Sequence, residues 1–228
     1  MWTDAENYYT WPTLRNVALA VGGASILANT SLDQDVRDWY QGDVRGRSLD
    51  EFADVVRPIG DGRIAIPACI AVGLLGALHD DTQWGSGLAD FSARAGRAYG
   101  VGTPTLLLLQ YGLGSARPGR CEDASYWKPF DHSNGASGHA FMGAVPFISA
   151  AQMTDDRCLK GLLYFCSTLP AWSRVNDDVH YLSQVWLGWW IAYLSCDAVN
   201  ATQRKDDRLL IAPIASPEMM GATMMYRY

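Results

Sequence analysis

The stretch Ser173-Arg174-Val175-Asn176-Asp177-Asp178-Val179-His180-Tyr181-Leu182-Ser183-Gln184 decides how this chain is read. It sets a guanidinium and an imidazole at the two ends of a short polar loop. Apolar runs flank the loop on both sides, residues 161–172 before it and 181–196 after it. A forked cation and a proton-exchanging ring between two helices suit an oxyanion ligand. On its own, a Ser-Arg pair followed by a histidine is weak evidence for anything more than a helix connection.

Outward from this loop the pattern repeats. Residues 17–32, 64–78, 98–116 and 140–154 are also apolar and nearly free of charge, which makes six such stretches. Their bounding Asp, Arg and Gly residues are helix stop signals, and no segment alternates with period two. The expected fold is therefore all-α, a bundle of six main apolar helices forming a single domain over residues 1–228. Pro67, Pro104, Pro146 and Pro170 fall in or near these stretches and are expected to kink or start helices. A membrane span needs roughly 20 apolar residues, and only 98–116 approaches that length. Flanking aromatic residues such as Trp186, Trp189, Trp190 and Tyr193 favour an interface. The expectation is a bundle embedded in a membrane or tightly associated with one, with a soluble bundle as the alternative.

Composition narrows the function classes. Charged residues make up only 18% of the chain, where about a quarter is usual. A net charge of −6 offers no basic field and excludes nucleic acid as the expected partner. An acidic chain that binds phosphate must gather a few arginines locally. The five cysteines (Cys69, Cys121, Cys158, Cys166, Cys196) are scattered, without a CxxC pair, and read mostly as small core residues. No His, Asp or Cys cluster has metal-ligand spacing, so no metal is expected. Residues 1–11 are polar and aromatic and lack the basic and apolar regions of a signal peptide. Residues 33–63 mix both charge signs and read as an exposed amphipathic helix plus a turn, a solvated face. The tail holds the charged run RKDDR and a methionine-rich end, expected to pack against the bundle.

Two more short stretches place phosphate-handling groups at helix ends. Ser115-Ala116-Arg117-Pro118-Gly119-Arg120 follows the third apolar run, with Pro118 ending the helix beside two guanidiniums. Asn134-Gly135-Ala136-Ser137-Gly138-His139-Ala140 opens the fourth, with Ser137 a natural N-cap and His139 in the first turn.

Together the three stretches resemble the signature of the phosphatidic acid phosphatase type 2 and vanadium haloperoxidase superfamily. That signature runs Lys-x6-Arg-Pro, Pro-Ser-Gly-His and Ser-Arg-x5-His-x3-Asp. Here it reads Gln110-x6-Arg117-Pro118, Ala136-Ser137-Gly138-His139 and Ser173-Arg174-x5-His180-x3-Gln184, so the motif core spans residues 110–184. The resemblance implies a phosphatase acting on a phosphomonoester or pyrophosphate, with a lipid phosphate as the expected substrate and no cofactor. It implies His180 as nucleophile, passing through a phosphohistidine, and His139 as proton donor and later base. Arg117, Arg174, Ser137 and the Gly138 amide would bind the phosphate. Vanadate would inhibit such an enzyme; under the haloperoxidase alternative it would be the cofactor.

Two positions depart from the pattern. Gln110 stands for the lysine of the first motif and brings no charge, which Arg120 or Lys128 could supply. Gln184 stands for the aspartate that orients the nucleophile, with Asp177 or Asp178 as candidate sources of charge. These departures keep a third reading open, a phosphate- or lipid-binding protein with impaired catalysis.

Overall fold

A computed structural model describes residues 1–206, 209–216 and 219–226. Nine α-helices make up most of the described chain, and each of the six apolar runs lies mostly within one helix, 17–32 and 98–116 overrunning the ends of theirs. These six helices are α2 (Trp11–Ala28), α5 (Gly62–Ala77), α6 (Gln83–Leu113), α7 (Gly138–Met153), α8 (Arg157–Asn176) and α9 (Leu182–Asp206). Shorter helices α1 (Trp2–Tyr8), α3 (Leu32–Trp39) and α4 (Arg47–Val56) fill the connections. After α9 come two antiparallel strands, β1 (Leu209–Ser216) and β2 (Met219–Tyr226). The expected packing of the tail methionines falls on side chains outside the described residues.

Most helix starts are written in the local sequence. Thr82, Ser137 and Asp156 each accept a backbone N–H from the first turn of α6, α7 and α8, at 3.1, 3.3 and 2.7 Å. Asp61 does the same for α5. Helix α6 stops at Gly114, whose φ of 67° lies in the left-handed region that glycine enters freely. The four prolines sit inside α5, α6, α7 and α8 and start none of them.

Phe141, Ile148, Leu187 and Ile191 form the centre of the core, between α6, α7 and α9. Small residues set the distances there. A methyl group on Gly188 of α9 would lie 2.2 Å from the Ser137 carbonyl, so glycine lets α9 touch the start of α7. Truncating the fully buried Phe141 to alanine is expected to cost about 3–5 kcal/mol. Cysteines divide: Cys69 and Cys196 are buried as expected, but Cys121 and Cys158 are exposed, lying in the loop after α6 and the first turn of α8.

The outer surface carries exposed Leu19, Ile26, Ile64, Ile70, Leu74, Leu108, Leu162 and Phe165. Among the described residues no single helix is long and apolar enough to cross a membrane. One bent pair, Arg47–Gly60 with Gly62–Ala77, passes the test of length and composition, with a 60° bend.

The clearest difference from the sequence reading is the segment 33–63. Its polar residues do not simply face solvent: several bond across to the loop between α8 and α9. Asp33 is fully buried, and Tyr40 and Val56 are buried too. Composition concealed this because the loop it packs on is itself polar, so both surfaces look solvated when read singly.

Candidate active site

Three helix ends meet at one end of the bundle. The loop after α6 is fastened to the start of α7 by Asn134 N–H to the Ser115 carbonyl, 3.1 Å. The start of α7 is fastened to α9 by Ser137 N–H to the Gln184 carbonyl, 2.8 Å. Ser173 and Arg174 lie in the last turn of α8, and His180 in the loop that follows. All the residues singled out from the motifs thus share one neighbourhood, as an up-and-down bundle requires.

His180 is nearly enclosed, with 7% of its surface exposed. Its Nδ1 lies 2.6 Å from Gln184 Oε1. An amide oxygen only accepts, so the ring proton sits on Nδ1 and the lone pair on Nε2. The same Gln184 oxygen accepts the Tyr181 N–H at 3.3 Å. The Gln184 Nε2 donates to Ser115 Oγ at 2.5 Å and to the Ala116 carbonyl at 2.7 Å. Gln184 is fully buried and every part of its amide is used. A carboxylate at this place would bring an oxygen against the Ala116 carbonyl. Burial pushes the His180 imidazole down to about 4; the Gln184 bond opposes this, while Arg117, Arg174 and His139 add to the lowering. His180 is therefore neutral above about pH 5.

The positive charges around it have distinct fastenings. Arg117 is exposed, with Nε donating to Asn134 Oδ1 at 3.0 Å. A polar cavity of about 420 Å³ opens beside it, lined also by Arg120, His132 and Ser133. Arg174 donates through Nη1 to Asp177 Oδ2 at 3.1 Å. Its Nε is buried and has no protein partner, a donor left over for an acceptor from outside the chain.

His139 is half-buried, and its Nε2 lies 2.6 Å from the Arg57 carbonyl. Gln110 does not stand free. It donates to the Ala136 carbonyl at 3.1 Å and lies against Gly138, bracing the turn before α7. Neither Asp177 nor Asp178 faces His180. Asp177 takes Arg174 and Arg57, and Asp178 takes Arg37. Arg57 and Arg37 are site neighbours that the sequence reading missed. The available signal was the charge pattern of 33–63, five arginines, two of which have partners more than a hundred residues away.

The site and fold define a helical phosphate-handling class, and the comparisons bear this out at family level. The PAP2 superfamily profile matches residues 95–208, half of the chain, and the chain belongs to that superfamily. In fold it is similar to the crystal structure of a transmembrane PAP2 type phosphatidylglycerolphosphate phosphatase from Bacillus subtilis. The identity is 16% and the TM-score 0.62, covering 83% of this chain and 96% of that one. Curated protein sequences gave no match.

Proposed function

We propose that the chain is a metal-independent phosphatase that hydrolyses a phosphomonoester or pyrophosphate, of a lipid, through a phosphohistidine at His180 Nε2. One observation carries this reading. Gln184 Oε1 accepts the His180 Nδ1–H, which leaves Nε2 as a neutral nucleophile among the charges of Arg117 and Arg174. The unpartnered Arg174 Nε supports it as a waiting donor for a phosphate oxygen.

In the first half-reaction Nε2 bonds to phosphorus and the P–O ester bond breaks. His139, in its protonated form, gives its proton to the departing alkoxide. Its Nε2 proton is held by the Arg57 carbonyl, so Nδ1 is the nitrogen that exchanges protons. In the second half-reaction Nδ1 takes a proton from water as the water oxygen attacks phosphorus. The N–P bond then breaks and His180 is neutral again. Arg117, Arg174, Ser137 and the Gly138 amide offset the charge on the phosphoryl oxygens. Gln110 contributes to this indirectly, through the loop that it braces.

The lipid part of the proposal rests on the apolar residues exposed on α2, α5, α6 and α8, which suit a membrane environment, and on the low charge of the chain. The test is an assay of purified protein against phosphatidic acid, diacylglycerol pyrophosphate, isoprenyl pyrophosphate and a chromogenic phosphate ester. Turnover inhibited by vanadate is expected, together with an acid-labile phosphoenzyme that is absent from His180→Ala. Phosphate binding without turnover of any ester would overturn the enzymatic reading.

A further inference from the structure

The loop that carries His180 ends α8 in an unusual way. Val179 N–H bonds the Arg174 carbonyl at 3.1 Å, and Asp178 N–H bonds the Val175 carbonyl at 3.1 Å. This pair of bonds is a Schellman ending, whose left-handed position is normally glycine. Here Asp178 holds it, with φ 54°. A residue with a Cβ pays about 1 kcal/mol for that conformation, so its side chain must be wanted.

The carboxylate of Asp178 receives a two-pronged bond from Arg37 of α3. Nε reaches Oδ1 and Nη2 reaches Oδ2, both at 2.6 Å. Both side chains are about one-quarter exposed, so the pair is only partly screened. Other bonds from the same segment land along the same loop. A single turn of π-helix, Tyr40–Val44, brings Gln41 Nε2 to the Val175 carbonyl at 2.8 Å. It also brings the Tyr40 hydroxyl to Asn176 Oδ1 at 3.1 Å. Past His180, the Tyr181 hydroxyl donates to Gln34 at 3.1 Å, and Asp33 accepts the Ser183 N–H at 3.0 Å. The loop is thus held from outside both before and after the histidine.

We infer that residues 33–57 are a strap that positions the nucleophile, with the Arg37–Asp178 pair as its principal fastening to the His180 loop. Neither residue is bonded to the His180 ring, whose Nδ1 partner is Gln184; they act through the backbone two residues before it. The inference rests on the proposed role of His180.

Asp178→Gly separates this from a merely structural role. Glycine relieves the left-handed strain and removes the carboxylate. With a positioning strap, kcat falls on the order of tenfold to a hundredfold. The melting temperature changes little, and competitive inhibition by inorganic phosphate is unchanged. Arg37→Gln is expected to lower kcat similarly, with partial recovery in Arg37→Lys. The double variant should be no slower than the slower single one. Wild-type kcat in both single variants would overturn the inference, as would losses that multiply in the double variant. Phosphate inhibition weakening in step with kcat would also overturn it, since the whole site would then have been disturbed. His180→Ala is run alongside: if it stays active the nucleophile assignment fails, a result distinct from failure of the strap alone.

Discussion

At the start of α7 the chain supplies its own cap. Ser137 accepts the N–H of Ala140, three residues on, so the cap of the turn that carries His139 is a neighbour in sequence. At the start of α9 the corresponding work is divided. Gln184 takes the Tyr181 N–H from within the helix, while Asp33, 150 residues earlier, takes the Ser183 N–H and hydroxyl. The cap of the first turn is local, while that of the second depends on a distant segment. The proposed nucleophile, which needs the stricter placement, is on the dependent turn. Its position can therefore be disturbed from elsewhere in the fold without altering any motif residue.

His180→Ala gives the largest expected effect on this contrast. Turnover is expected to fall by at least about 10³-fold, in keeping with the loss of a nucleophile in other covalent enzymes. Inorganic phosphate binding, followed by calorimetry, should persist because Arg117, Arg174 and the α7 turn are untouched.

Next is Gln184→Glu. A carboxylate oxygen would replace the amide nitrogen that now donates to the Ala116 carbonyl 2.7 Å away. The expected loss of stability is about 1–3 kcal/mol, read by chemical denaturation. A negative charge beside Nδ1 would also raise the His180 pKa from about 4. More of the nucleophile would then be protonated at a given acidic pH. The acid limb of kcat/KM should move upward from the wild-type position, which is expected well below the ordinary histidine value of 6.5. An unshifted limb would show that the limb does not report His180.

Asp33→Ala is expected to cost about 1–3 kcal/mol, because the N–H and hydroxyl of Ser183 lose their acceptor in a buried place. Asp33 is itself raised in pKa by burial, against the hydrogen bonds from Ser183. The stability linked to its protonation is therefore lost as pH rises, not as it falls. Ser137→Ala should cost less, about 1 kcal/mol, since it loses a single, locally made cap bond. If Ser137→Ala proved more costly than Asp33→Ala in the same melts, the contrast between the two turns would be broken. The smallest effect is expected from Gln110→Lys. Its amide braces the Ala136 carbonyl, and an ammonium can donate there too, so KM should stay within about twofold to threefold.

Much of the helical core was legible in the sequence because apolar runs and local caps are short-range signals. The runs at 140–154 and 64–78 begin within two residues of α7 and α5, next to Ser137 and Asp61. Helix α6 was seen only in its second half. Its first half, from Gln83, carries Asp90, Arg94 and Arg97, whose partners lie on other elements or one turn away, so its apolar signal is diluted. The motif residues were also legible, and their gathering followed from helix order. The environment of Gln184 was not, since Ser115 and Ala116 give no sign in sequence of facing position 184. The strap was hidden for the same reason: Arg37 looks like an ordinary surface charge, and Asp178 like a charge meant for His180, until the fold pairs them.

Gly60 joins these regions at a single point. A methyl group there would lie 2.3 Å from the His139 ring, and one on Gly143 would lie 3.0 Å from the Gly60 Cα. The chain just after the strap therefore passes α7 at bare backbone distance, three residues after Arg57, whose carbonyl accepts from the His139 ring. Position 60 works as a spacer of zero width. Any longer side chain there would have to tilt the proton-exchanging imidazole or lift the strap from the bundle, moving both halves of the reaction centre at once.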